Sequence, residues 1–564
     1  MSSRYLESHL RNIFQKASLQ DSFDINDSKH RREIQKLVNV SAYPQVSLCM
    51  YTNGKLIKRT FYSNGSIQPT TSEQAGAVSH EHSTPVPEPE APSRESKCLF
   101  AIGSYSKIFV DIIYIRLFEN GTMKKLGIAW TDSAIATFNE LRRRNNKPGM
   151  KMPSRNPSIE QLLLHWDAFA PMDASFIAPD ETFLGTKQQF IKIAPRMTDE
   201  YFQKNDNKHY LYSNANHIFA VMLLEELLRK PFFEIAQEYL FGPMGMTHTA
   251  ADQKSLERLR SERAEILEGY RIRADMSSSP RPQGHNYLSD GVEVASMGAW
   301  SCVDDLAKLL QGLLDAYNGH KSSFTKAEAD LFFSPAAGED EPETSPAGIY
   351  CPLDSEFAGA QSLSRSLQST SSYTLGTHKG KSKYVHYKGG TVDGFTSTVY
   401  ISHLDNTFVI VLGNGAGPVD VTSHIASYIL EKVFALYPEA AIYDHVEQER
   451  ERNCNRIRAF EDMDNMETAT WSNDMTRFAG RYVCHQDLQK IEIYEDGGAI
   501  LRVQDKCSGR MVVGASESKI RLFPGDDGFG LDRWSVWEDL SFSEEERSGI
   551  NVLVSGDGRV FYVE

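Results

Sequence analysis

Residues 101–110, AIGSYSKIFV, place a serine and a lysine at the start of an apolar run. Ser104 and Lys107 are three positions apart, so a helix would present both side chains on one face. The apolar residues 108–110 continue that helix, which puts Ser104 at its N-terminus and Lys107 one turn deeper. The helix dipole stabilises negative charge on such a serine, and burial lowers the pKa of such a lysine. The stretch therefore predicts a nucleophile beside its base, against the simpler interpretation of a solvated helix face.

The Ser-x-x-Lys spacing has little weight by itself, because it recurs at Ser323–Lys326 and at Ser516–Lys519. The context of Ser104 adds to it, since this serine follows a glycine and the β-prone residues 100–102. Further motifs in the chain are needed to distinguish a catalytic Ser104–Lys107 pair from a chance spacing.

A second candidate set is Tyr212-Ser213-Asn214, in the segment KHYLYSNANHIF. A tyrosine hydroxyl can relay a proton between a nucleophile and a leaving group, and an asparagine amide can orient a lysine or a substrate carbonyl. The structural alternative is a core aromatic at a helix start, with Asn214 as the helix cap. A similar triplet that begins at Tyr51 lies in a predicted hairpin, before the serine.

The third set is Lys388-Gly389-Gly390-Thr391, inside the β-prone run YVHYKGGTVDGFTSTVYIS. Glycines in a strand allow a ligand to approach the backbone closely, and a nearby cation stabilises an oxyanion or a carboxylate. The alternative is a glycine-containing hairpin with a surface lysine.

Taken in order, Ser-x-x-Lys, Tyr-x-Asn and Lys-x-Gly resemble the serine β-lactamase and penicillin-binding-protein family. The resemblance is to its class C β-lactamase-like branch, which also contains esterases, D-aminopeptidases and acyltransferases. It extends over about residues 40–62 and 97–435, and includes the stretches SIEQLLLHWDAF, LFGPMGMTHT and MGAWSCVDDLAKLL. The family implies an α+β fold of the β-lactamase/transpeptidase type, with an antiparallel sheet flanked by helices and a helical subdomain.

The resemblance also implies a role for each matching residue. Ser104 would be the nucleophile, Lys107 its base partner, and Tyr212 the general base and acid of acylation and deacylation. Asn214 would orient these groups, and Lys388 would supply positive charge.

The oxyanion hole implied by the resemblance lies where the first and third motifs meet. The backbone N–H groups of Ser104 and Thr391 would form it, and Gly390 would let the substrate approach the strand backbone. No cofactor or metal is implied.

Two departures from the family pattern bear on the substrate. Gly389 replaces the hydroxyl residue that helps penicillin-recognising members hold the substrate carboxylate, which argues against a β-lactam antibiotic. After His165, Trp166-Asp167-Ala168 stands where many relatives have Thr-Ser-Gly, which changes a loop near the cleft. His165 itself is interpreted as a structural histidine.

Composition bounds the class of protein. The chain has 564 residues and a formal net charge of -15, which argues against nucleic acid or an anionic membrane as the main partner. The N-terminal segment lacks the apolar core of a secretory signal. The seven cysteines are scattered, without a Cys-x-x-Cys pair, which favours a reducing compartment over a disulfide framework or a zinc site. We therefore expect a cytoplasmic protein.

The pattern along the chain predicts two domains. A β-lactamase-like catalytic domain is expected over 1–450, with a disordered insertion at 63–96 because this stretch is rich in Ser, Pro, Glu and Thr. A linker follows at 451–472. Short alternating β-prone runs then predict a small antiparallel β-barrel over 473–564, which resembles the lipocalin-like domain often appended to this branch.

Three functions are compatible with these residues. The first is a serine acyl-hydrolase acting on an ester, thioester or amide of a small molecule or short peptide, in secondary metabolism and with a carrier-bound thioester among the conceivable donors. The second is an acyltransferase, in which an alcohol or amine captures the same acyl-enzyme. The third is a non-catalytic binding or scaffold descendant, which the intact candidate residues argue against.

Overall fold

In this computed structural model, the residues described are 23–63, 97–172, 186–204, 209–280, 294–336, 343–354, 373–392, 394–438 and 441–467, with the strands after residue 479. The predicted insertion at 63–96 lies outside these residues from position 64 onward.

Among the described strands before residue 440, those longer than three residues all belong to one sheet. In chain order, the strands of this part are β1 (Gln45–Thr52), β2 (Lys55–Tyr62), β3 (Phe100–Ala101), β4 (Tyr270–Ile272), β5 (Ser278–Pro280), β6 (Trp300–Ser301), β7 (Thr344–Ser345), β8 (Gly348–Pro352), β9 (Tyr384–Val392), β10 (Phe395–Ser402), β11 (Thr407–Gly413) and β12 (Gly415–Ala416).

Seven of these strands form one sheet in the order β2-β1-β11-β10-β9-β8-β7, and each neighbouring pair is antiparallel. The β1–β2 hairpin turns at Asn53 and Gly54, both with positive φ (52° and 74°), as a two-residue Asn-Gly turn requires. The triplet that begins at Tyr51 therefore belongs to this hairpin. Each residue of β1, β10 and β11 is buried, so the sheet is covered on both faces.

The helices of this part follow in chain order. They are α1 (Ser28–Ser41), α2 (Lys107–Glu119), α3 (Thr122–Lys125), α4 (Ala134–Arg144), α5 (Ile159–Leu163), α6 (Lys187–Lys204), α7 (Asn214–Leu228), α8 (Phe232–Ala236), α9 (Gly242–Met244), α10 (Gln253–Ser261), α11 (Val294–Met297), α12 (Val303–Tyr317), α13 (Lys326–Phe332), α14 (Val421–Val433) and α15 (Ile442–Glu467).

Two apolar cores lie on the two faces of the sheet, and the alternation of strand side chains separates them. Leu48 and Met50 of β1 pack in the core that includes residues of α1 and α14. Cys49 and Tyr51 face the larger core, which includes residues of α2, α7 and α12. Helices α2 and α7 are apolar around most of their circumference and are buried along most of their length. They form the helical layer on which the first two motifs lie.

The C-terminal part begins after α15. Eight antiparallel strands pair into a closed barrel, namely β13 (Gly480–Cys484), β14 (Gln489–Ile493), β15 (Gly498–Val503), β16 (Lys506–Ser516), β17 (Lys519–Pro524), β18 (Glu538–Glu544), β19 (Asn551–Ser555) and β20 (Val560–Val563). The segment predicted as a linker, 451–472, is helical up to Glu467 as part of α15. The domain boundaries and the lipocalin-like character of the barrel stay predictions.

No described helix combines the length and the hydropathy needed to cross a bilayer. Five of the described cysteines are buried, namely Cys49, Cys98, Cys302, Cys351 and Cys454.

Candidate active site

Ser104 lies in a short 3-10 turn, Gly103–Ser106, that connects β3 to α2. The Ser106 hydroxyl fixes this turn, because it donates to the carbonyl of Gly103 at 2.6 Å and accepts from the N–H of Ala299 at 3.0 Å. The expected entry from a strand into a helix is therefore present, with a tight turn rather than regular helix around the serine.

Lys107 is fully buried beneath the serine. Its Nζ atom lies 3.1 Å from Ser104 Oγ, 2.6 Å from Asn214 Oδ1 and 2.8 Å from the carbonyl oxygen of Ser296. The amide and carbonyl oxygens accept two N–H groups, so the remaining tetrahedral position of Nζ is directed at the serine. A protonated amine would donate to Oγ there, whereas a neutral amine would accept the serine proton.

Tyr212 stands beside this pair, with its ring centroid 5.0 Å from Lys107 Nζ. A short backbone pairing holds the tyrosine in place, since the N–H of Leu211 donates to the carbonyl of His165 at 2.9 Å. Ser213, rather than Asn214, caps α7, because its hydroxyl accepts from the N–H of Ala215. The alternative role of Asn214 as a helix cap is thus taken by its neighbour, and the Asn214 amide faces Lys107 instead.

Strand β9 passes so close to the serine turn that only glycine fits on either side. A Cβ atom on Gly103, whose φ is +53°, would lie 2.6 Å from the backbone nitrogen of Thr391. A Cβ atom on Gly390 would lie 2.1 Å from the carbonyl oxygen of Ile102 and 2.9 Å from the nitrogen of Ser104. The structure therefore brings the backbone of Ser104 beside the Gly390–Thr391 peptide, where two N–H groups can serve one developing oxyanion.

Lys388, two residues before Gly390 on β9, has a partner that the sequence analysis does not identify. Its Nζ atom lies 3.3 Å from Asp111 Oδ2, and the Asp111 side chain is 1% exposed. The other oxygen of this carboxylate, Oδ1, lies 2.8 Å from Nε2 of the buried His217. A carboxylate and an imidazole thus join the third motif to the helices that carry the first two.

Both imidazoles near the site are neutral. Burial holds the pKa of His165 well below its ordinary value, and His217, Lys107 and Lys388 lower it further. Burial also lowers the pKa of His217, although Asp111 opposes this shift. Nδ1 of His165 faces the amide nitrogen of Asn216 at 2.9 Å and the N–H of Ser213 at 3.3 Å. His165 therefore supports the loop that carries Tyr212, as a structural histidine would.

The departure at 166–168 shapes a wall next to this loop. His165 and Asp167 both have positive φ, 62° and 46°, which is uncommon for residues with side chains. Trp166 forms a β-bridge with Tyr210, and its indole nitrogen donates to Thr344 Oγ1 at 3.1 Å. The tryptophan thereby ties the Tyr212 loop to β7, at the far edge of the sheet.

The two other Ser-x-x-Lys sequences lack such surroundings. Ser323 and Lys326 are exposed, and Lys326 pairs with Asp330 along α13. Ser516 and Lys519 are directly opposed residues of the β16–β17 pair. Among the described residues, no group of three or more histidine, cysteine, aspartate or glutamate side chains could hold a metal ion.

Sequence reasoning missed Asp111 and His217, although each left a signal. Asp111 interrupts the apolar run of α2 four residues after Lys107, and His217 lies three residues after Asn214 in the equally apolar α7. These spacings put each residue on the same helix face as its catalytic candidate. A carboxylate buried in a helix requires partners, and Asp111 finds them in His217 and Lys388.

Comparison with known proteins gives a family match over most of the chain. The model of the family described as Beta-lactamase matches residues 31–433. One curated relative, the N-acetylmuramyl-L-alanine amidase of Bacillus subtilis (strain 168), is 25% identical over 179 residues. That alignment covers 30% of this chain and 40% of the amidase, so the chain spans well under half the length of this relative.

The solved structures to which this chain is similar include penicillin-binding and β-lactamase proteins. An octameric penicillin-binding protein homologue from Pyrococcus abyssi is 14% identical, with a TM-score of 0.49, over 95% of this chain and all of that one. A class C β-lactamase from Rhodobacter sphaeroides is 14% identical, with a TM-score of 0.47, over 72% of this chain and 98% of that one. A class C β-lactamase in complex with cefoxitin is 15% identical, with a TM-score of 0.48, over 72% and 99%.

Proposed function

Because the chain belongs to the Beta-lactamase family, we propose that it is a serine hydrolase that cleaves a small ester, thioester or amide through an acyl-enzyme on Ser104. One observation carries the proposal: a fully buried lysine places Nζ 3.1 Å from the serine hydroxyl while Asn214 and Ser296 accept its other N–H groups. A buried amine so restrained is suited to take the serine proton.

In the first half-reaction, Ser104 Oγ attacks the acyl carbon while its proton passes to a neutral Lys107 Nζ, and the Tyr212 hydroxyl can relay a proton from there to the leaving group. The carbonyl oxygen becomes an oxyanion that accepts from the N–H groups of Ser104 and Thr391. The bond from carbon to the leaving oxygen, sulfur or nitrogen then breaks. The leaving group takes the proton from Tyr212 or Lys107, and the acyl group stays on Ser104.

In the second half-reaction, water attacks the acyl carbon and gives its proton to the same base. The ester bond to Ser104 Oγ breaks, the serine recovers a proton, and a carboxylic acid is released. Gly389 supports an acyl substrate other than a penicillin, because this position has no hydroxyl to bind a substrate carboxylate. The amide bond named in the relative from Bacillus subtilis belongs to the same chemical range.

The test is turnover of a substrate panel by wild type, Ser104→Ala and Ser323→Ala. The panel contains 4-nitrophenyl esters, an acyl thioester, a 4-nitroanilide and benzylpenicillin. We expect Ser104→Ala to lose about 10³-fold or more in kcat/KM on the accepted substrates. Ser323→Ala, which removes the serine of the exposed Ser-x-x-Lys, should retain wild-type turnover.

Full activity of Ser104→Ala would overturn the proposal. Addition of an alcohol or amine separates hydrolysis from transfer, because a transferase would form the new ester or amide in place of the free acid. Absence of turnover and of acylation across the panel would favour the non-catalytic alternative.

A further inference from the structure

We propose that Asp111 is a specificity-determining residue that cancels the charge of Lys388, so that the site selects acyl groups without a carboxylate. This inference rests on the proposed hydrolysis at Ser104 and narrows its substrate class. It concerns a residue that acts on the substrate through Lys388.

Lys388 is placed where it would meet the substrate. Residues two apart on a strand share one face, so Lys388 and Gly390 point to the same side of β9. That side is the one facing Ser104, since a Cβ atom on Gly390 would come within 2.9 Å of the Ser104 nitrogen. Lys388 therefore lies about 7 Å along the strand from the predicted oxyanion hole, and an acyl group held there would lie near its charge.

The charge of Lys388 is already compensated inside the protein. The Lys388 side chain is 12% exposed and Asp111 is 1% exposed, so water does little to screen the ion pair between them. A buried lysine with a buried carboxylate has no net charge. It attracts a second anion much less than an unpaired ammonium would, and bringing that anion in would add its repulsion from Asp111.

His217 does not neutralise the Asp111 carboxylate that compensates Lys388. Burial lowers the pKa of His217, so the ring is neutral and donates one N–H, from Nε2, to Asp111. Its Nδ1 atom is buried and has no hydrogen-bond partner within the described part of the chain. The imidazole therefore fixes the carboxylate in position without neutralising it, and the full negative charge faces Lys388.

Gly389 also disfavours a carboxylate on the substrate. Next to Lys388, where a side-chain hydroxyl could assist in binding an anion, the strand has only a hydrogen atom. Neither the charge nor a donor from the 388–389 side chains is then available for a carboxylate on the substrate.

The experiment compares two substrates that differ only in charge. Mono-4-nitrophenyl adipate ends in a carboxylate, and its methyl ester is the neutral match with the same leaving group. We expect wild type to favour the neutral ester in kcat/KM. Asp111→Asn keeps an acceptor for His217 but leaves Lys388 unpaired, and should shift the ratio toward the anionic ester by about tenfold or more.

A matched control is Asp305→Asn, which removes another buried carboxylate paired with a lysine. Asp305 lies 2.7 Å from Lys308 and contacts no residue of the site through its hydrogen bonds, which come from His248, Thr249 and Lys308. This variant should leave the ratio unchanged. A ratio that does not move in Asp111→Asn while wild type is active would overturn the inference and leave the proposed function standing.

Two further outcomes are decisive. Should Asp111→Asn not fold, the test uses wild type alone. A preference of wild type for the anionic ester that weakens with added salt would reveal an uncompensated cation and overturn the inference. A salt-independent preference for the neutral ester supports it. Wild type without turnover of either ester, or of the wider panel, would overturn the proposed function, and the inference with it.

Discussion

The two lysines of the site have different surroundings, although both serve the same cleft. Lys107 is held by the uncharged oxygens of Asn214 and Ser296 and by the serine itself. Lys388 faces the carboxylate of Asp111. Lys107 thus lies among uncharged acceptors, whereas Lys388 forms an ion pair with a buried carboxylate. We therefore propose that Lys107 moves the proton and that the charge of Lys388 stays compensated by Asp111.

The largest effect should come from removing the amine that moves the proton. Lys107→Met should lower kcat/KM for an accepted ester by about 10³-fold or more, since a positioned base contributes roughly 10²–10⁴-fold and the oxyanion hole remains. Steady-state ester hydrolysis measures it. Lys326→Met, in the exposed Ser-x-x-Lys, is the control and should match wild type. Retention of activity within a few-fold by Lys107→Met would remove this lysine from the mechanism.

Removal of Lys388 should mainly lower the free energy of unfolding. Lys388→Met leaves the buried Asp111 without its counter-ion, and we expect a loss of about 3–5 kcal/mol in the free energy of unfolding. The double variant Asp111→Asn/Lys388→Met removes both charges and should recover most of that loss. Denaturant unfolding of wild type, the two single variants and the double variant forms the cycle. Additive losses would show that the pair does not interact.

A third prediction tests the close approach of the serine turn to β9. Gly103→Ala should lower activity by about a hundredfold and stability by more than 2 kcal/mol, because the new methyl group meets the backbone of Thr391 at 2.6 Å. Gly121→Ala is a matched control. Gly121 also has positive φ, +77°, but nothing lies within 4 Å of an added Cβ. It should cost about 1 kcal/mol of backbone strain and no activity. Equal effects of the two variants would contradict the close approach of β9.

The smallest effect concerns the neutral histidines. Burial lowers the pKa of His30 in the folded chain, and also that of four more deeply buried histidines, namely His165, His217, His386 and His445, the last to about 4. Their ordinary pKa is near 6.5, so the unfolded chain binds protons that the folded chain refuses, and stability falls as pH is lowered from about 7 to 5. His424 opposes this trend, because Glu449 outweighs burial and raises its pKa.

Chemical denaturation at pH 7, 6 and 5 measures that slope. His386→Asn removes one of the four groups outside the site and should make it shallower. A free energy of unfolding that rises between pH 7 and pH 5 would contradict the neutral state of these histidines.

The sequence alone led to the fold and to three motifs because their signals are local. Asn53-Gly54 requires a two-residue turn, and a glycine before Ser104 marks the strand-to-helix entry. What joins the motifs is not local. Asp111 and His217 are 106 positions apart, and their side chains come into hydrogen-bond contact only because α2 packs against α7.

Two local interpretations also changed. Ser213 and Asn214 can both cap a helix by residue type. In the structure Ser213 caps α7, because the amide oxygen of Asn214 accepts a hydrogen bond from Lys107. The mixed charges of 442–467 gave little helical signal in the sequence, yet the segment forms α15, with the buried Glu449 paired to His424 of α14.

All of these predictions depend on Ser104 carrying the acyl group, which peptide mapping can detect. Wild type is mixed with a 4-nitrophenyl ester, quenched in acid within the first turnovers, digested and sequenced by tandem mass spectrometry. We expect one acyl group, on the Ser104 hydroxyl of the AIGSYSK segment, and none there in Lys107→Met at the same time point. An acyl group on any other side chain, with Ser104 unmodified, would contradict it.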